Sequence, residues 1–123
     1  MRFVGSLPVD RVREALASAA CLVLPSFQET APLVVEEAMA AGVPALASNA
    51  CGVPYMIEDG RTGLLFDPQR TESIAEKLDA VLSNADLRER MSTRAREVAE
   101  DRFRASRVAR RTLDMYRVIA EGA

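Results

Sequence analysis

The sequence predicts an α/β fold: a Rossmann-like parallel sheet with flanking helices. Three short apolar segments, at residues 21–24, 43–47 and 64–66, have the length and composition of strands that are buried on both faces. Apolar residues recur at helical spacing over residues 8–19, before the first strand, and over residues 32–41, between the first and the second. A helix that joins two strands of one sheet is a crossover connection, and crossover connections place strands in parallel.

The first half of the chain carries signals for where its elements begin and end. Residues 2–5 are a short, mainly apolar stretch that we interpret as a further strand. Pro8 opens the first helix, and Pro32 suits the first turn of the second because its missing N–H would have no partner there. Gly42 suits the C-terminal cap of that second helix. A loop over residues 49–54 then follows the second strand.

The second half is predicted to be mostly helical. One helical turn is expected over residues 55–58, before the third strand. Thr71 belongs to the residue types that cap helices, and we expect the first of three helices to begin there. A break near residues 83–84 separates it from the second. The apolar stripes of the three helices are Ile74, Leu78, Val81 and Leu82; Leu87, Met91, Ala95 and Val98; and Val108, Leu113, Tyr116 and Ile119.

The composition is that of an ordinary globular domain, and it excludes several classes of function. Of the 123 residues, 49% are apolar and 28% are charged, and the formal net charge is −2. No strong electrostatic field therefore attracts nucleic acid, and we expect no nucleic-acid partner. The chain contains no His. That absence excludes Ser–His and Cys–His nucleophile pairs and any His-ligated metal site.

The cysteines and the hydropathy pattern bear on location. Cys21 lies in an apolar run and is interpreted as buried, whereas Cys51 lies in a loop. Two thiols 30 residues apart form neither a metal motif nor a disulfide framework, which favours a reducing, cytoplasmic setting. No apolar stretch approaches the roughly 18–20 residues that a membrane-spanning helix needs, and the N-terminus does not resemble a signal peptide.

Residues 25–42 are the most informative segment, because they run from a strand through a polar turn into a helix. The first turn of such a helix has N–H groups without helical acceptors and the positive end of the helix dipole, which together suit a phosphate. Glu37 falls between Leu33 and Ala41 on an otherwise apolar arc, where a carboxylate needs donors such as ribose hydroxyls. Glu29 precedes the helix, where a carboxylate would repel a phosphate, so a sugar hydroxyl suits it better.

The same residues also have purely structural explanations. Glu37 could pair with an Arg of the C-terminal helices. Glu29 could be an exposed turn residue or interact with the helix N-terminus, and Glu36 could be solvated or ion-paired. Helical periodicity alone does not choose between Glu36 and Glu37 as the ligand-facing carboxylate. Residues 49–54 either border a nucleotide or form a plain connecting loop.

The segment resembles the signature of the group 1 (family 4) glycosyltransferases of the GT-B fold. That pattern is Pro-Ser, two residues, Glu, seven residues, Glu-Ala, small residues, Gly, any residue and Pro. The chain carries it as Pro25, Ser26, Glu29, Glu37, Ala38, Met39, Ala40, Ala41, Gly42 and Pro44. Further family-like strings follow at residues 52–54, 58–60, 62–65 and 67–68, and the resemblance covers essentially the whole chain.

The resemblance implies a role for each candidate residue. In this family the first Glu, here Glu29, touches sugar hydroxyls and lies near the reacting carbon. The second, here Glu37, binds the ribose of the nucleotide. Backbone N–H groups at the helix start, here those of Ala31, Leu33 and Val34, hold the diphosphate. The family's reaction retains the anomeric configuration and needs no bound metal and no cofactor, which agrees with the lack of an Asp-x-Asp motif in this sequence.

Four positions depart from the family pattern. Pro32 stands where Gly is usual, which removes one N–H from the expected diphosphate site, and Ala31 stands where an aromatic residue is common. Cys51 and Tyr55 replace a usual Gly and Glu in the following loop. These changes bear on the identity of the donor and on the shape of the site.

Set against the family, residues 1–123 are expected to form a single partial domain, a piece of the C-terminal, donor-binding half of a GT-B enzyme. The acceptor domain and the first two strands of the donor domain, with the Gly-Arg and Lys-Gly residues that grip the diphosphate, have no counterpart in the chain. Those strands lie in the middle of the family's sheet. We therefore expect a rearranged or partly open sheet, or self-association through an exposed strand edge.

The leading hypothesis is the donor-binding half of a glycosyltransferase. A nucleotide-diphosphate sugar would donate its sugar to a glycan or a lipid-linked acceptor held by the missing domain, and the isolated chain would be inactive. The alternatives are a non-catalytic Rossmann-like interaction module and a nucleotide-sugar epimerase of the same fold, which the absence of His disfavours.

The C-terminal region is rich in arginine. Residues 87–117 contain ten Arg and five acids. A solvated face explains such a region most simply. Peripheral contact with the inner face of the membrane is the alternative, because many proteins with this resemblance use lipid-linked acceptors.

Overall fold

The computed structural model describes residues 2–122 and confirms the α/β architecture. Its strands are β1 (Leu22–Leu24), β2 (Ala45–Ser48) and β3 (Gly63–Phe66), and its helices are α1 (Val9–Ser18), α2 (Leu33–Ala41), α3 (Thr71–Ser83), α4 (Ala85–Arg102) and α5 (Ala105–Glu121). The strands form one sheet in the order β1-β2-β3, and both pairings are parallel. A short 3₁₀ helix, Val53–Tyr55, lies between β2 and β3.

The register of the sheet brings two loops to the same edge. Leu24 is paired with Ala47, and Ser48 is paired with Phe66, so the carboxyl ends of the three strands lie side by side. The Ser48 hydroxyl donates to the Leu24 carbonyl at 3.3 Å, and the Asn49 N–H donates to the Phe66 carbonyl at 2.7 Å. The loops that follow β1 and β2 therefore leave the sheet next to each other, where parallel sheets bind ligands.

Helices cover both faces of the sheet, and α4 reaches both. On one face Leu46, Leu64 and Phe66 pack with Val81 of α3 and Met91 of α4. On the other face the buried cluster contains Val35, Met39, Ala45, Ala47, Val53, Met56, Ile57, Ala95, Val98 and Ala99. Helix α2 lies between layers, as its apolar composition predicts, because it packs against α1 as well as against β2 and α4.

Gly42 ends α2, as the sequence predicts. Its φ is 73°, in the left-handed region, and its N–H donates to the Met39 carbonyl at 3.0 Å. The N–H of Val43 donates to the Ala38 carbonyl at 2.8 Å, so two carbonyls of the last turn are satisfied. The Arg96 Nη2 also donates to the Ala41 carbonyl, at 3.3 Å, and thus joins α4 to the end of α2.

The strand expected at residues 2–5 is absent. These residues pair with no strand among residues 2–122, and the side chains of Phe3 and Val4 are 87% and 53% exposed. A strand requires a neighbour to accept its backbone hydrogen bonds, and an apolar stretch alone does not supply one. In the described part of the chain, β1 likewise has no strand on its outer side, so the sheet is open at that edge.

Two predictions of where a helical segment begins were wrong. Thr71 is the first residue of α3 rather than its cap, because the Arg70 carbonyl already accepts from the Ser73 N–H at 3.0 Å and from the Ile74 N–H at 3.4 Å. The helical turn expected at residues 55–58 lies instead at Val53–Tyr55, where Pro54 stands in the first turn. Asn84 caps α4, and its side chain accepts from the Leu87 N–H at 2.9 Å.

Helix α5 is the least integrated element. None of its side chains is buried, and the exposed apolar ones are Val108, Leu113, Met115, Tyr116, Val118 and Ile119. The helix was predicted from the spacing of its apolar residues, and the structure confirms the helix. No helix in the part of the chain that the structure describes has the length and apolarity to cross a membrane.

Candidate functional site

The start of α2 presents three backbone N–H groups that have no acceptor among the described residues. Pro32 precedes the helix with φ −68° and ψ 114°, and no side chain caps it. The first N–H of the helix to find an acceptor is that of Val35, which donates to the Pro32 carbonyl at 3.0 Å. Within residues 2–122, those of Ala31, Leu33 and Val34 find none. They lie at the positive end of a nine-residue helix, as the sequence predicts for an anion site.

The three carboxylates of this region have no cationic partner in the part of the chain that the structure describes. Glu29, Glu36 and Glu37 are half-buried, and no Lys or Arg among the described residues lies within 4.0 Å of their carboxylates. Glu58, which is similarly half-buried, instead pairs with Arg94 at 3.3 Å. The arginine pairing that was the structural explanation for Glu37 is therefore not made within residues 2–122.

Glu37 lines a groove of about 520 Å³ between α2 and the junction of α4 with α5. Helix α2 contributes Leu33, Glu36, Glu37 and Ala40, and the opposite wall is formed by Arg96, Ala99, Glu100, Phe103 and Arg104. Both arginines of that wall are engaged elsewhere: Arg96 bonds the Ala41 carbonyl, and Arg104 pairs with Glu100. Glu36 also lines the groove and is likewise half-buried. Burial therefore does not show which of the two carboxylates faces a ligand, and helical periodicity did not show it either.

The groove unites only part of the predicted set. Leu33 and Glu37 line it, whereas Glu29, Ala31 and Val34 do not. Those three lie on the turn before α2 and on its first residues, and Leu33 is the residue common to both places. The candidate site therefore consists of a turn at the edge of the sheet and a groove along α2, which meet at the start of the helix.

Residues 49–55 contact the Glu29 turn, so this loop does more than connect two strands. The Gly52 N–H donates to the Glu29 carbonyl at 3.0 Å. The far end of the loop is held by Arg102, whose Nη2 donates to the Tyr55 carbonyl. The sequence did not predict these contacts, although Gly52 lies in a family-like string.

Comparison with known proteins decides the family. The family described as "Glycosyl transferases group 1" matches residues 1–98. The chain belongs to the group 1 glycosyltransferases. Among curated relatives, this group 1 chain is 41% identical to the sulfoquinovosyl transferase SQD2 of Arabidopsis thaliana over 101 residues, which cover 80% of the chain and 20% of that protein.

Solved structures agree with the GT-B assignment. Sucrose-phosphate synthase from Thermosynechococcus elongatus superposes with a TM-score of 0.88 at 27% identity, over 99% of this chain and 31% of that one. The Anabaena protein HepE in complex with UDP has the same fold, with a TM-score of 0.80 at 21% identity, over 85% of this chain and 29% of that one. The chain spans 20% to 31% of the length of the curated relatives it matches.

Proposed function

We propose that this group 1 chain forms the donor-binding part of a glycosyltransferase and binds a nucleoside-diphosphate sugar. The observation that carries the proposal is the set of unbonded N–H groups at the start of α2, those of Ala31, Leu33 and Val34. A diphosphate would accept from these groups, and the helix dipole would stabilise its charge. HepE, which shares the fold, was solved with UDP and with UDP-glucose, which supports this class of ligand.

Glu37 is proposed to bind the ribose. It lies one helical turn beyond Leu33 and lines the groove with it, so a nucleotide whose diphosphate meets the helix start would extend its nucleoside along α2. A carboxylate without a cationic partner accepts readily from two adjacent hydroxyls. Phe103 on the opposite wall offers an apolar ring to the nucleoside.

Glu29 is proposed to act at the sugar. It lies in the turn before α2 and outside the groove that Glu37 lines. A carboxylate there would accept from sugar hydroxyls and stabilise positive charge that develops at the anomeric carbon. As the leaving diphosphate gains charge, the dipole and the N–H groups at the helix start would stabilise it without rearrangement.

The complete reaction that we propose is retaining, independent of metal and directed to a glycan or a lipid-linked acceptor. These features follow from the resemblance to the family rather than from the geometry of the chain. The acceptor would be bound by a second domain that faces the carboxyl edge of the sheet. The described residues contribute the donor side, so we expect this chain to bind donor without transferring sugar by itself.

Calorimetric titration of the chain with UDP, GDP and ADP, each with and without its sugar, tests the proposal. We expect saturable binding of one nucleotide and weaker binding of the same nucleotide by Glu37→Ala. In an enzyme that includes the acceptor domain, Glu29→Ala should reduce the rate of transfer while nucleotide affinity is kept. A folded chain that binds none of the three nucleotides or their sugars would show the donor site to be wrong.

A further inference from the structure

The turn that carries Glu29 lies directly against Gly52, and its nearest group is the Thr30 carbonyl. A Cβ placed on Gly52 would lie 1.6 Å from the Thr30 carbonyl oxygen and 2.7 Å from its carbonyl carbon. The φ and ψ of Gly52 are −83° and −14°, a right-handed conformation that any residue adopts. Backbone conformation is therefore not the reason for a glycine here. The reason is the close approach of the turn that carries Glu29.

The same glycine also forms a hydrogen bond that holds the turn in place. The Gly52 N–H donates to the Glu29 carbonyl at 3.0 Å. Within residues 2–122, this is the one hydrogen bond that the backbone of residues 26–31 makes. Phe27 of the turn is 69% exposed, so its side chain packs little against the rest of the chain. Backbone hydrogen bonding therefore fixes the turn only through this contact and through the chain ends that enter β1 and α2.

The loop that carries Gly52 is firmly held by comparison. Asn49 is bonded to Phe66 of β3, and Val53, next to Gly52, is 1% exposed in the core cluster below α2. Arg102 of α4 bonds the Tyr55 carbonyl. A side chain at position 52 would therefore displace the Glu29 turn rather than the loop beneath it, because the turn is the partner with fewer constraints.

We propose that Gly52 is a positioning residue for Glu29, and through Thr30 for the N–H of Ala31. This inference rests on the proposed donor-binding function and deepens it. Relieving a contact of 1.6 Å needs a backbone shift of more than about 1 Å. A misplacement of that size at a reacting group costs on the order of a hundredfold in rate. The absence of a side chain at position 52 thus sets where the Glu29 carboxylate meets the sugar.

The test compares Gly52→Ala with Gly60→Ala in the intact chain. Gly60 has φ 77° and open space around it, so its replacement by Ala strains the fold without touching the candidate site. For each variant, calorimetry gives the affinity for the nucleotide that binds the wild type and for its sugar-bearing form. We expect Gly52→Ala to weaken binding of the sugar-bearing form by about tenfold or more, beyond any loss shared with the bare nucleotide. Gly60→Ala should keep the wild-type ratio.

Backbone amide chemical shifts measured by NMR separate this inference from the function on which it rests. In Gly52→Ala the shifts of Glu29, Thr30 and Ala31 should move, while those of α3 stay in place. If the wild type binds no nucleotide and these three shifts still move, the positioning contact stands and the proposed function fails. Unmoved shifts, or an unchanged ratio of affinities in a chain that binds nucleotide, would overturn the positioning role.

A measurement on the wild type covers the case in which Gly52→Ala does not fold. Hydrogen exchange of the Gly52 amide should be slow relative to that of Cys51, because only the Gly52 N–H bonds the Glu29 carbonyl. Exchange of the Gly52 amide at the rate of an open loop would show that the contact does not persist, and the inference would be wrong.

Discussion

Arg96 of α4 lies against Gly42, the left-handed residue that ends α2. A Cβ on Gly42 would fall 2.2 Å from the Arg96 Nε, and the neighbouring Ala41 carbonyl accepts from the Arg96 Nη2 at 3.3 Å. The contact joins residues that are 55 positions apart in sequence, on two helices that form opposite walls of the groove beside Glu37. Stability at this helix end and the shape of the groove therefore depend on the same pair.

Gly42→Ala should destabilise the chain by about 1–2 kcal/mol for the left-handed conformation, with a further ~1 kcal/mol from displacement of Arg96. In an Arg96→Ala background only the conformational part should remain, so the same substitution should cost less there. Urea unfolding of the four variants of this cycle measures both. Gly5→Ala, at φ 69° in an exposed and unpaired segment, should change the free energy of unfolding by less than about 0.5 kcal/mol. An identical cost in both backgrounds would exclude the Arg96 contribution.

Glu37→Gln should weaken binding of the nucleotide by about tenfold or more, because a neutral amide is a poorer acceptor for ribose hydroxyls than a carboxylate. Glu36→Gln is the matched control, since Glu36 lines the same groove and the charge change is equal. Calorimetric titration of both variants with the same nucleotide gives the comparison. Equal losses would indicate a general electrostatic effect of the groove rather than a specific contact by Glu37.

Leu33→Pro should weaken binding of the diphosphate while the fold is kept. Leu33 is the first residue of α2, where proline is tolerated, and the ψ of 114° at Pro32 suits a residue before proline. The change removes one N–H from the helix start, a loss of about tenfold for a charge-assisted hydrogen bond. Leu33→Ala is the control, because it shortens the side chain in the groove and keeps the N–H. If Leu33→Ala lost as much affinity as Leu33→Pro, the contact would be with the side chain.

Phe66→Ala should cost about 3–5 kcal/mol of the free energy of unfolding, the range for a large side chain removed from a packed core. Phe66 is 1% exposed, at the centre of the cluster between the sheet, α3 and α4. Phe3→Ala is the matched substitution at a side chain that is 87% exposed, and it should have an effect below about 0.5 kcal/mol. Chemical denaturation of the two variants checks the difference, and a large effect of Phe3→Ala would mean that residues 2–5 pack in solution.

The two thiols should differ in reactivity. Cys51 is exposed, whereas Cys21 is half-buried, and this burial raises the pKa of the Cys21 thiol above its usual value, against an opposing effect of Arg88. Since the thiolate is the reactive form, a disulfide reagent at neutral pH should modify one thiol quickly and the second only slowly. Cys51→Ser should remove the fast phase. Persistence of the fast phase in Cys51→Ser would place the reactive thiol at Cys21.

Local chemistry accounts for the parts of this fold that the sequence predicted. Gly42 ends α2 and short apolar runs form β1, β2 and β3, because each depends on backbone preference and hydropathy within a few residues. The failure at residues 2–5 has a different origin: an apolar stretch becomes a strand only beside a partner, and no local signal reports one. The exposure of the α5 stripe was not predictable for the same reason, since helical spacing predicts a helix but not what covers it.

The candidate site likewise has one part that local sequence predicts and another that depends on contacts between distant segments. The turn with Glu29 and the helix start with Leu33 and Val34 follow from residues that are adjacent in sequence. The wall formed by Phe103 and the contact between Gly52 and Thr30 join segments far apart along the chain, and no periodicity encodes them. The φ of Gly52 is negative, so a residue other than glycine could adopt its conformation. The sequence does not reveal that a glycine is required there for the close approach of another segment rather than for a turn.

The position of helix α4 also bears on how the chain unfolds. It is continuous over 18 residues, and it places Met91 in the cluster on one face of the sheet and Ala95, Val98 and Ala99 in the cluster on the other. Because α4 packs in the clusters on both faces of the sheet, loss of packing on one face also destabilises the other. The two faces of the sheet are therefore linked through a single element, and we expect the sheet and the helices packed on its two faces to unfold as one cooperative unit rather than layer by layer.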